Sequence, residues 1–151
     1  SMRGYMDTSV CGGCFDKEYR TCSAQLFKEF RRGIKKAVIS DLTIRELEDA
    51  PVKVKNHLNS IPDKSKEIVF AGNEDIDLAN AYIAEGVITE RFFNDALHIA
   101  LATISKVDVL VSWNFKHIVN INRIRLYNAV NLKNGYSLIE IRSPLEVIYE
   151  K

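Results

Sequence analysis

The sequence predicts an α/β domain of three layers, in which helices cover both faces of a central, mainly parallel β-sheet. Short, continuous apolar runs at residues 37–39 and 109–111 are typical of strands that are buried on both faces. Residues 96–104 carry apolar side chains at helical spacing, which indicates an amphipathic helix. Strand and helix patterns alternate along nearly the whole chain, and this order favours parallel strands joined by helical crossovers.

The composition is that of an ordinary globular domain. A chain of 151 residues is long enough to bury one core, so we expect a single domain over residues 1–151, in which Ser1 is a remnant of an expression tag. The net charge of +1 gives no general argument for nucleic-acid binding. No apolar run reaches the roughly 18–20 residues of a membrane span, and no signal-peptide core is present at the N-terminus. We therefore expect a cytoplasmic protein with no membrane partner.

Turn-forming residues separate the predicted elements in the first half of the chain. The Gly12-Gly13 pair predicts a loop, Ser23 is expected to cap a helix that stops at Gly33, and Pro51 separates two short helices. The predicted elements are a strand over residues 3–6, a helix over 23–32, a strand over 37–39, and helices over 43–47 and 52–58.

The second half repeats the alternation of strands and helices. The predicted elements are a strand over residues 68–70, helices over 73–85 and 91–105, a strand over 109–112, a helix over 120–131 and a last strand over 136–141. Gly86 ends the first of these helices, and Pro144 ends the last strand.

Polar side chains are expected to converge at one edge of this sheet. The carboxyl ends of parallel strands share one edge, where open α/β sheets bind ligands. Asp7, Asp41 and Asn114 follow predicted strands, while Glu46 and Asp95 lie on early turns of helices that can face the same edge. Neighbouring carboxylates repel one another unless a cation lies between them, and oxygen ligands suit Mg²⁺ or Mn²⁺. Such an ion activates water and stabilises an attacked phosphate, so the pattern favours metal-dependent phosphodiester hydrolysis.

Four motifs, in this order, resemble those of PIN domains, the metal-dependent nuclease fold of VapC-type toxins in bacterial toxin–antitoxin pairs. The motifs are Asp7-Thr8-Ser9, Glu46, residues 95–102 with Asp95 and His98, and residues 112–117 with Ser112 and Asn114. The resemblance covers nearly the full length. It implies that Asp7, Glu46 and Asp95 hold the Mg²⁺ or Mn²⁺ ion. Asn114 takes the fourth catalytic position, and Ser112, His98 and Thr8 are expected to support the site.

The resemblance also implies a function and partners. The chain would be an endoribonuclease that cuts an RNA substrate as the toxin of such a pair, and it would bind a small antitoxin and form a homodimer. Many PIN nucleases have an aspartate where this chain has Asn114, and an amide oxygen can bind a hydrated ion but lacks the negative charge. This departure keeps an alternative open, namely a non-catalytic PIN-fold module that binds RNA or a protein partner.

The candidate residues also have structural interpretations that need no metal. Asp7 can bond the turn that follows its strand, and Asn114 can form an Asx turn. Asp95 near a helix start gains from the helix dipole. Thr43-x-x-Glu46 fits a capping box, in which Glu46 would only hold a helix N-terminus.

The remaining motifs favour structural roles. Cys11 and Cys14 form a C-x-x-C pair, but a zinc site needs two further ligands and a redox motif would open a helix, so we interpret them as incidental loop cysteines. His98 shares a helix face with Asp95 and can orient it, although a satisfied buried histidine is the commoner case. Trp113 is expected to pack rather than to stack on RNA bases.

Overall fold

The structure, a computed structural model, describes residues 1–149, and a five-stranded sheet lies at its centre. The strands are β1 (Met2–Met6), β2 (Lys35–Ser40), β3 (Lys66–Val69), β4 (Val109–Val111) and β5 (Ile141–Arg142). Their order across the sheet is β3-β2-β1-β4-β5, and every neighbouring pair is parallel. The prediction of a mainly parallel sheet is therefore confirmed, with the N-terminal strand in the middle.

Helices connect the strands throughout residues 1–149. They are α1 (Thr8–Gly13), α2 (Arg20–Arg31), α3 (Asp41–Glu46), α4 (Val52–Asn59), α5 (Asn73–Ala84), α6 (Phe93–Ile104), α7 (Ile121–Lys133) and α8 (Pro144–Val147). Two short 3₁₀ turns, Asp63–Ser65 and Glu90–Phe92, precede β3 and α6. None of the helices described here has the length and apolar character that a membrane crossing requires.

Alternation along the central strands divides the core into two clusters. Tyr5 and Leu110 belong to the cluster under α5, α6 and α7, whereas Met6 and Val111 belong to the cluster under α1, α2 and α4. Successive strand residues point to opposite faces, so each strand supplies both clusters. The three-layer α/β/α arrangement is thereby confirmed.

The register of β1 determines where the first candidate acid lies. Tyr5 is paired with Val38 of β2 and Leu110 of β4, and Met6 is paired with Val111. The next residue, Asp7, still donates its backbone N–H to the Val111 carbonyl at 3.3 Å. Asp7 is therefore held at the carboxyl edge of the sheet, where β1 and β4 both end.

Helix α3 begins earlier than its sequence suggests. Ser40, the last residue of β2, has extended backbone angles, and its Oγ accepts the backbone N–H of Thr43 at 3.2 Å. Ser40 is thus the N-cap, and Glu46 is the last residue of the helix. The capping-box interpretation of Thr43-x-x-Glu46 is wrong because the strand runs directly into the helix.

Three local predictions are wrong because tertiary packing overrides the local pattern. The Gly12-Gly13 pair lies in α1 and not in a loop. A Cβ on Gly13 would lie 2.6 Å from Ser23 Oγ and 2.7 Å from the indole nitrogen of Trp113, so this glycine permits close packing. Ser23 is buried inside α2 and caps nothing. The last strand contains only Ile141–Arg142, because the backbone N–H and carbonyl of Ile139 bond to the Asn128 side chain and not to a neighbouring strand.

A buried ion pair ties α2 to β2 and to the end of the described chain. Glu29 and Lys35 are in direct contact, and the side chain of each is only 1% exposed. The second carboxylate oxygen of Glu29 accepts Gln25 Nε2 at 3.0 Å and the backbone N–H of Tyr149 at 2.9 Å. The Tyr149 ring lies over the Lys35 ammonium at 3.2 Å. Each buried charge is therefore satisfied by several partners.

Removal of the Lys35 cation should be costly. Lys35→Met would leave the Glu29 carboxylate buried without its counter-ion, and the free energy of unfolding should fall by about 3–5 kcal/mol. The matched change Lys133→Met removes an exposed pair with Glu85, which should cost no more than about 1 kcal/mol. Urea denaturation at pH 7 measures both losses, and equal values would contradict a special role for the buried pair.

Candidate functional site

The predicted acids lie near one another at the carboxyl edge of the sheet. Asp7 directly follows β1, Glu46 ends α3, and Asp95 lies in the first turn of α6. The charge of Asp95 acts on Asp7, and the charge of Glu46 acts on Asp95. Asp41 has a different role at this edge, because its Oδ1 accepts the backbone N–H of Ala71 and holds the segment after β3.

Asp7 is held between two serine hydroxyls. Ser9 Oγ donates to Oδ1 and Ser112 Oγ donates to Oδ2, both at 2.6 Å. Each hydroxyl also accepts a backbone N–H at 2.9 Å, from Trp113 on Ser9 and from Asn114 on Ser112. A hydroxyl has one proton, and an N–H can only donate, so both serine protons are directed at the carboxylate. The two serines therefore favour a side chain at position 7 that accepts hydrogen bonds, such as a carboxylate.

Burial opposes the charge on two of the acids. Asp7 is only 4% exposed, and burial raises its pKa, although the charge of His98 and the serine hydrogen bonds act in the opposite direction. Burial also raises the pKa of Asp95, where His98 lowers it and Glu46 adds to the increase. A positive charge placed between these groups would favour their ionised forms. The electrostatics of the site therefore suit a cation.

Glu46 is held from two sides through one oxygen. Its Oε1 accepts Thr8 Oγ1 at 2.7 Å and contacts His98 Nε2 at 2.6 Å. Burial acts to raise the pKa of Glu46, but the hydrogen bond and charge of His98 and the hydrogen bond of Thr8 outweigh it, so the pKa is lowered. Glu46 thus differs from Asp7 and Asp95 in keeping its charge readily.

His98 connects Glu46 to the middle of the sheet. It is 1% exposed, and its Nδ1 lies 2.7 Å from the Tyr5 hydroxyl, which lies 2.7 Å from Ser40 Oγ. The chain of hydrogen bonds therefore runs from the N-cap of α3 through β1 and α6 to Glu46. Both ring nitrogens of His98 are used, so the side chain has one fixed orientation.

The hydrogen bonds of Asn114 determine the orientation of its side-chain amide. One end of the amide faces the backbone N–H of His117 at 2.9 Å, and the other end lies 3.3 Å from Asp95 Oδ2. Since a backbone N–H only donates, the first end must be the oxygen and the second the NH₂ group. Asn114 therefore forms an Asx-type turn and at the same time donates to Asp95.

The donor set meets only some of the requirements of a metal ion. Among residues 1–149, no group of three or more His, Cys, Asp or Glu side chains lies close enough together to hold one ion. Mg²⁺ usually keeps several waters and needs only one or two protein carboxylates. Buried Asp7 and partly buried Asp95 provide oxygen donors that interact electrostatically, and each carboxylate retains unused lone pairs. The residues fit a hydrated ion but not a closed cage of three carboxylates.

The cysteines lie apart from this chemistry. Cys11 is buried in α1 and not in the loop that we predicted, whereas Cys14 is buried in the turn that follows α1. Burial raises the pKa of the Cys14 thiol to about 12, which keeps it protonated at neutral pH. Thiolate is the form that binds zinc and attacks disulfides, so the environment does not favour a zinc or redox role.

The architecture resembles that of a solved protein structure. The chain is similar to one in the crystal structure of VapBC2 from Rickettsia felis bound to a DNA fragment from their promoter, with a TM-score of 0.59 and 14% sequence identity. The match covers 94% of this chain and 98% of the other. The protein has a PIN-like fold. No protein-family model matches the sequence, and no curated protein matches it at the sequence level. At this identity the likeness concerns the fold.

Sequence reasoning assigned no role to three residues that organise the PIN-like site. Ser9, Tyr5 and Ser40 hold Asp7, His98 and the start of α3 by side-chain hydrogen bonds. The available signal was weak, because Tyr5 fits the apolar pattern of a strand and serines are common in turns. A tyrosine hydroxyl inside a buried strand needs a partner, which is the one feature that predicts the contact with a second polar residue.

The raised pKa of Asp7 predicts a stability change with a defined pH dependence. The folded state binds the Asp7 proton more readily than the unfolded chain, so stability decreases as the pH rises above the ordinary aspartate value of about 3.9. Asp7→Asn removes this loss and should raise the free energy of unfolding at pH 7 in EDTA by about 1 kcal/mol. The gain should shrink towards pH 4, as measured by urea denaturation.

The control for this measurement is Asp77→Asn, which changes an exposed aspartate on α5. We expect the control to follow the wild type across the whole pH range. A variant of Asp7 that is less stable than the wild type at pH 7 in EDTA would show that its two serine contacts outweigh the burial of charge.

Proposed function

We propose that this protein is a metal-dependent endoribonuclease and the toxin of a toxin–antitoxin pair. The observation that carries the proposal is the coupling of buried Asp7 with Asp95 and Glu46 at the carboxyl edge of a PIN-like sheet. Ligands of open α/β sheets bind at this edge, and carboxylates in close proximity, one of them buried, favour a cation between them.

In this proposal each acid has its own task. Asp7 and Asp95 would hold a hydrated Mg²⁺ or Mn²⁺ ion, and the two serines would keep Asp7 oriented towards it. Glu46 is held by Thr8 and His98 through Oε1, which leaves Oε2 available to orient the attacking water. When bound, the ion would lower the pKa of that water and stabilise negative charge on the phosphate. Asn114 would hold Asp95 in place and would not itself be a ligand.

The proposed partners come from the same comparison. The structure that this chain resembles contains VapBC2 with a fragment of promoter DNA. We propose, by analogy of fold, that this chain binds a small antitoxin, forms a homodimer and acts on RNA in the cytoplasm.

Asn114 favours a second candidate function. Its NH₂ group donates to Asp95, and its oxygen already accepts the His117 N–H, so the fourth position supplies no charge and directs a donor at Asp95. A site with this reduced charge would bind cations less tightly than a four-acid site. The second candidate is therefore a non-catalytic module with the same fold that binds RNA or a protein partner.

RNA cleavage assays should separate the two candidates. With Mn²⁺ and a mixture of structured and unstructured RNAs, the wild type should produce defined fragments, and EDTA should stop the reaction. Asp95→Asn should lower the rate by about 10²-fold or more because it removes a charge from the ion site. Asp77→Asn, an exposed aspartate on α5, should cleave like the wild type. Equal cleavage by the Asp95 variant would indicate a contaminating nuclease and contradict the proposal.

A change at Asn114 tests how the fourth position acts. Asn114→Asp would keep the bond from the His117 N–H but would place a second carboxylate about 3.3 Å from Asp95. We expect a lower melting temperature in EDTA, because the two charges repel, and roughly tenfold tighter Mn²⁺ binding by calorimetry.

Asn120→Asp is the matched control for this change. Asn120 caps α7 through the backbone N–H of Arg123, and aspartate is an equally good cap. The control should leave both the melting temperature in EDTA and the Mn²⁺ affinity unchanged. If Asn114→Asp binds Mn²⁺ no more tightly than the wild type, position 114 does not face the ion.

A further inference from the structure

An aromatic cluster lies beside the candidate site. It consists of Tyr19, which precedes α2, and Trp113 and Phe115, which follow β4. The Tyr19 and Trp113 rings are stacked, with centroids 4.1 Å apart and planes within 14° of parallel. Phe115 lies 6.1 Å from Trp113 and 6.4 Å from Tyr19 and is 48% exposed, while the other two rings are half-buried. The cluster therefore presents aromatic surface to solvent.

The position of the indole is fixed by its surroundings. Trp113 Nε1 donates to the buried Ser23 Oγ at 2.7 Å. Gly13 lies so close to the indole that a Cβ there would be 2.7 Å from Nε1. The indole is thus held on one edge by a hydrogen bond and by contact with the backbone of α1. A ring held in this way keeps its orientation without a ligand, which lowers the entropic cost of stacking on it.

The cluster is continuous with the acids through three consecutive residues. Ser112 donates to Asp7, Asn114 donates to Asp95, and Trp113 lies between them in the chain. The backbone N–H of Trp113 bonds to Ser9, the second serine on Asp7. A polymer that placed one phosphate at the acids would therefore have its neighbouring residues beside the aromatic rings.

The charges near the cluster are slightly in favour of a polyanion. Lys17, Arg20 and Lys116 are exposed in the segments that carry the three rings. Asp16 and Glu18 are exposed in the same segments, and the Asp16 carboxylate is engaged by the Glu18 backbone N–H. Three cations against two anions leave one net positive charge, which is enough for contact with a phosphate but not for strong attraction. Affinity at this surface must therefore come mainly from the rings.

We infer that the aromatic cluster binds unpaired bases of single-stranded RNA next to the cleavage site. This inference rests on the proposed function, because it assumes that RNA is the polymer at the acids. Bases stack on aromatic side chains with little sequence preference, and only an unpaired strand can present a base face to them. Paired RNA would keep its bases stacked inside the helix. This inference departs from the expectation that Trp113 packs and does not stack on bases, because it gives the indole a second role at the surface.

Trp113 provides the measurement, because it is the only tryptophan in the chain. Its fluorescence can be followed while a single-stranded RNA of about 10 nucleotides is added to Asp95→Asn protein, in which cleavage is suppressed. We expect quenching that saturates, and at least tenfold weaker binding of a hairpin of the same composition. In the same background, Phe115→Ala should weaken single-strand binding about tenfold. Phe70→Ala, which removes an exposed ring after β3, should not change it.

A second pair of variants tests the same surface through its support. Gly13→Ala should displace the indole and weaken RNA binding, whereas Gly12→Ala has no atom within 4 Å of the added Cβ and should bind normally. Far-ultraviolet circular dichroism would verify that all four variants are folded.

The outcomes separate this inference from the proposed function. Equal single-strand affinity of the Phe115 and Phe70 variants, or equal affinity for strand and hairpin, would overturn the inference even if the wild type cleaves RNA. Binding that depends on Phe115, combined with cleavage that does not depend on Asp95, would support the cluster and reject the nuclease. If RNA of either form causes no quenching, while Phe115→Ala disrupts a complex with a purified protein partner, the cluster is a protein interface and the inference is wrong.

Discussion

The burial of Asp7 at the end of the central strand is the constraint on which the site depends. β1 pairs with β2 and β4 in parallel register. Asp7, which follows Met6, therefore lies at the carboxyl edge between neighbouring strands. A carboxylate in that position loses most of its hydration, and two serine hydroxyls replace part of it. The other acids then meet it through helices that start at the same edge. One strand position thus sets the geometry and the electrostatics of the whole constellation.

The site disfavours the charged forms of two of its three acids. Burial raises the pKa of both Asp7 and Asp95, whereas Glu46 keeps its charge through His98. The Glu29–Lys35 pair shows the contrast, since those buried charges are matched within the chain itself. Neighbouring acids whose pKa values are raised by burial, despite a nearby histidine, are typical of sites that are completed by a ligand. Asn114 reduces the imbalance by putting a neutral donor beside Asp95.

The segment around Trp113 combines hydrogen bonds to the acids with aromatic packing. Its neighbours on both sides bond to carboxylates, while its own side chain packs on α1 and α2 and stacks on Tyr19. The tight contact at Gly13 explains why that glycine occurs inside a short helix, where it would otherwise be unfavourable. The aromatic surface and the acidic site therefore share one backbone segment.

The sequence by itself determined the class of fold and the approximate meeting point of the acids. Short apolar runs alternating with amphipathic helices require a covered parallel sheet, and such a sheet brings Asp7, Glu46 and Asp95 to one edge whatever the details of packing. Only the tertiary structure decided which atoms of those residues are used. The contact between Asp7 and Ser112 spans 105 residues, and that between Tyr5 and His98 spans 93. The direction of the Asn114 amide and the close contact of Gly13 with Trp113 likewise depend on distant partners, which local periodicity does not encode.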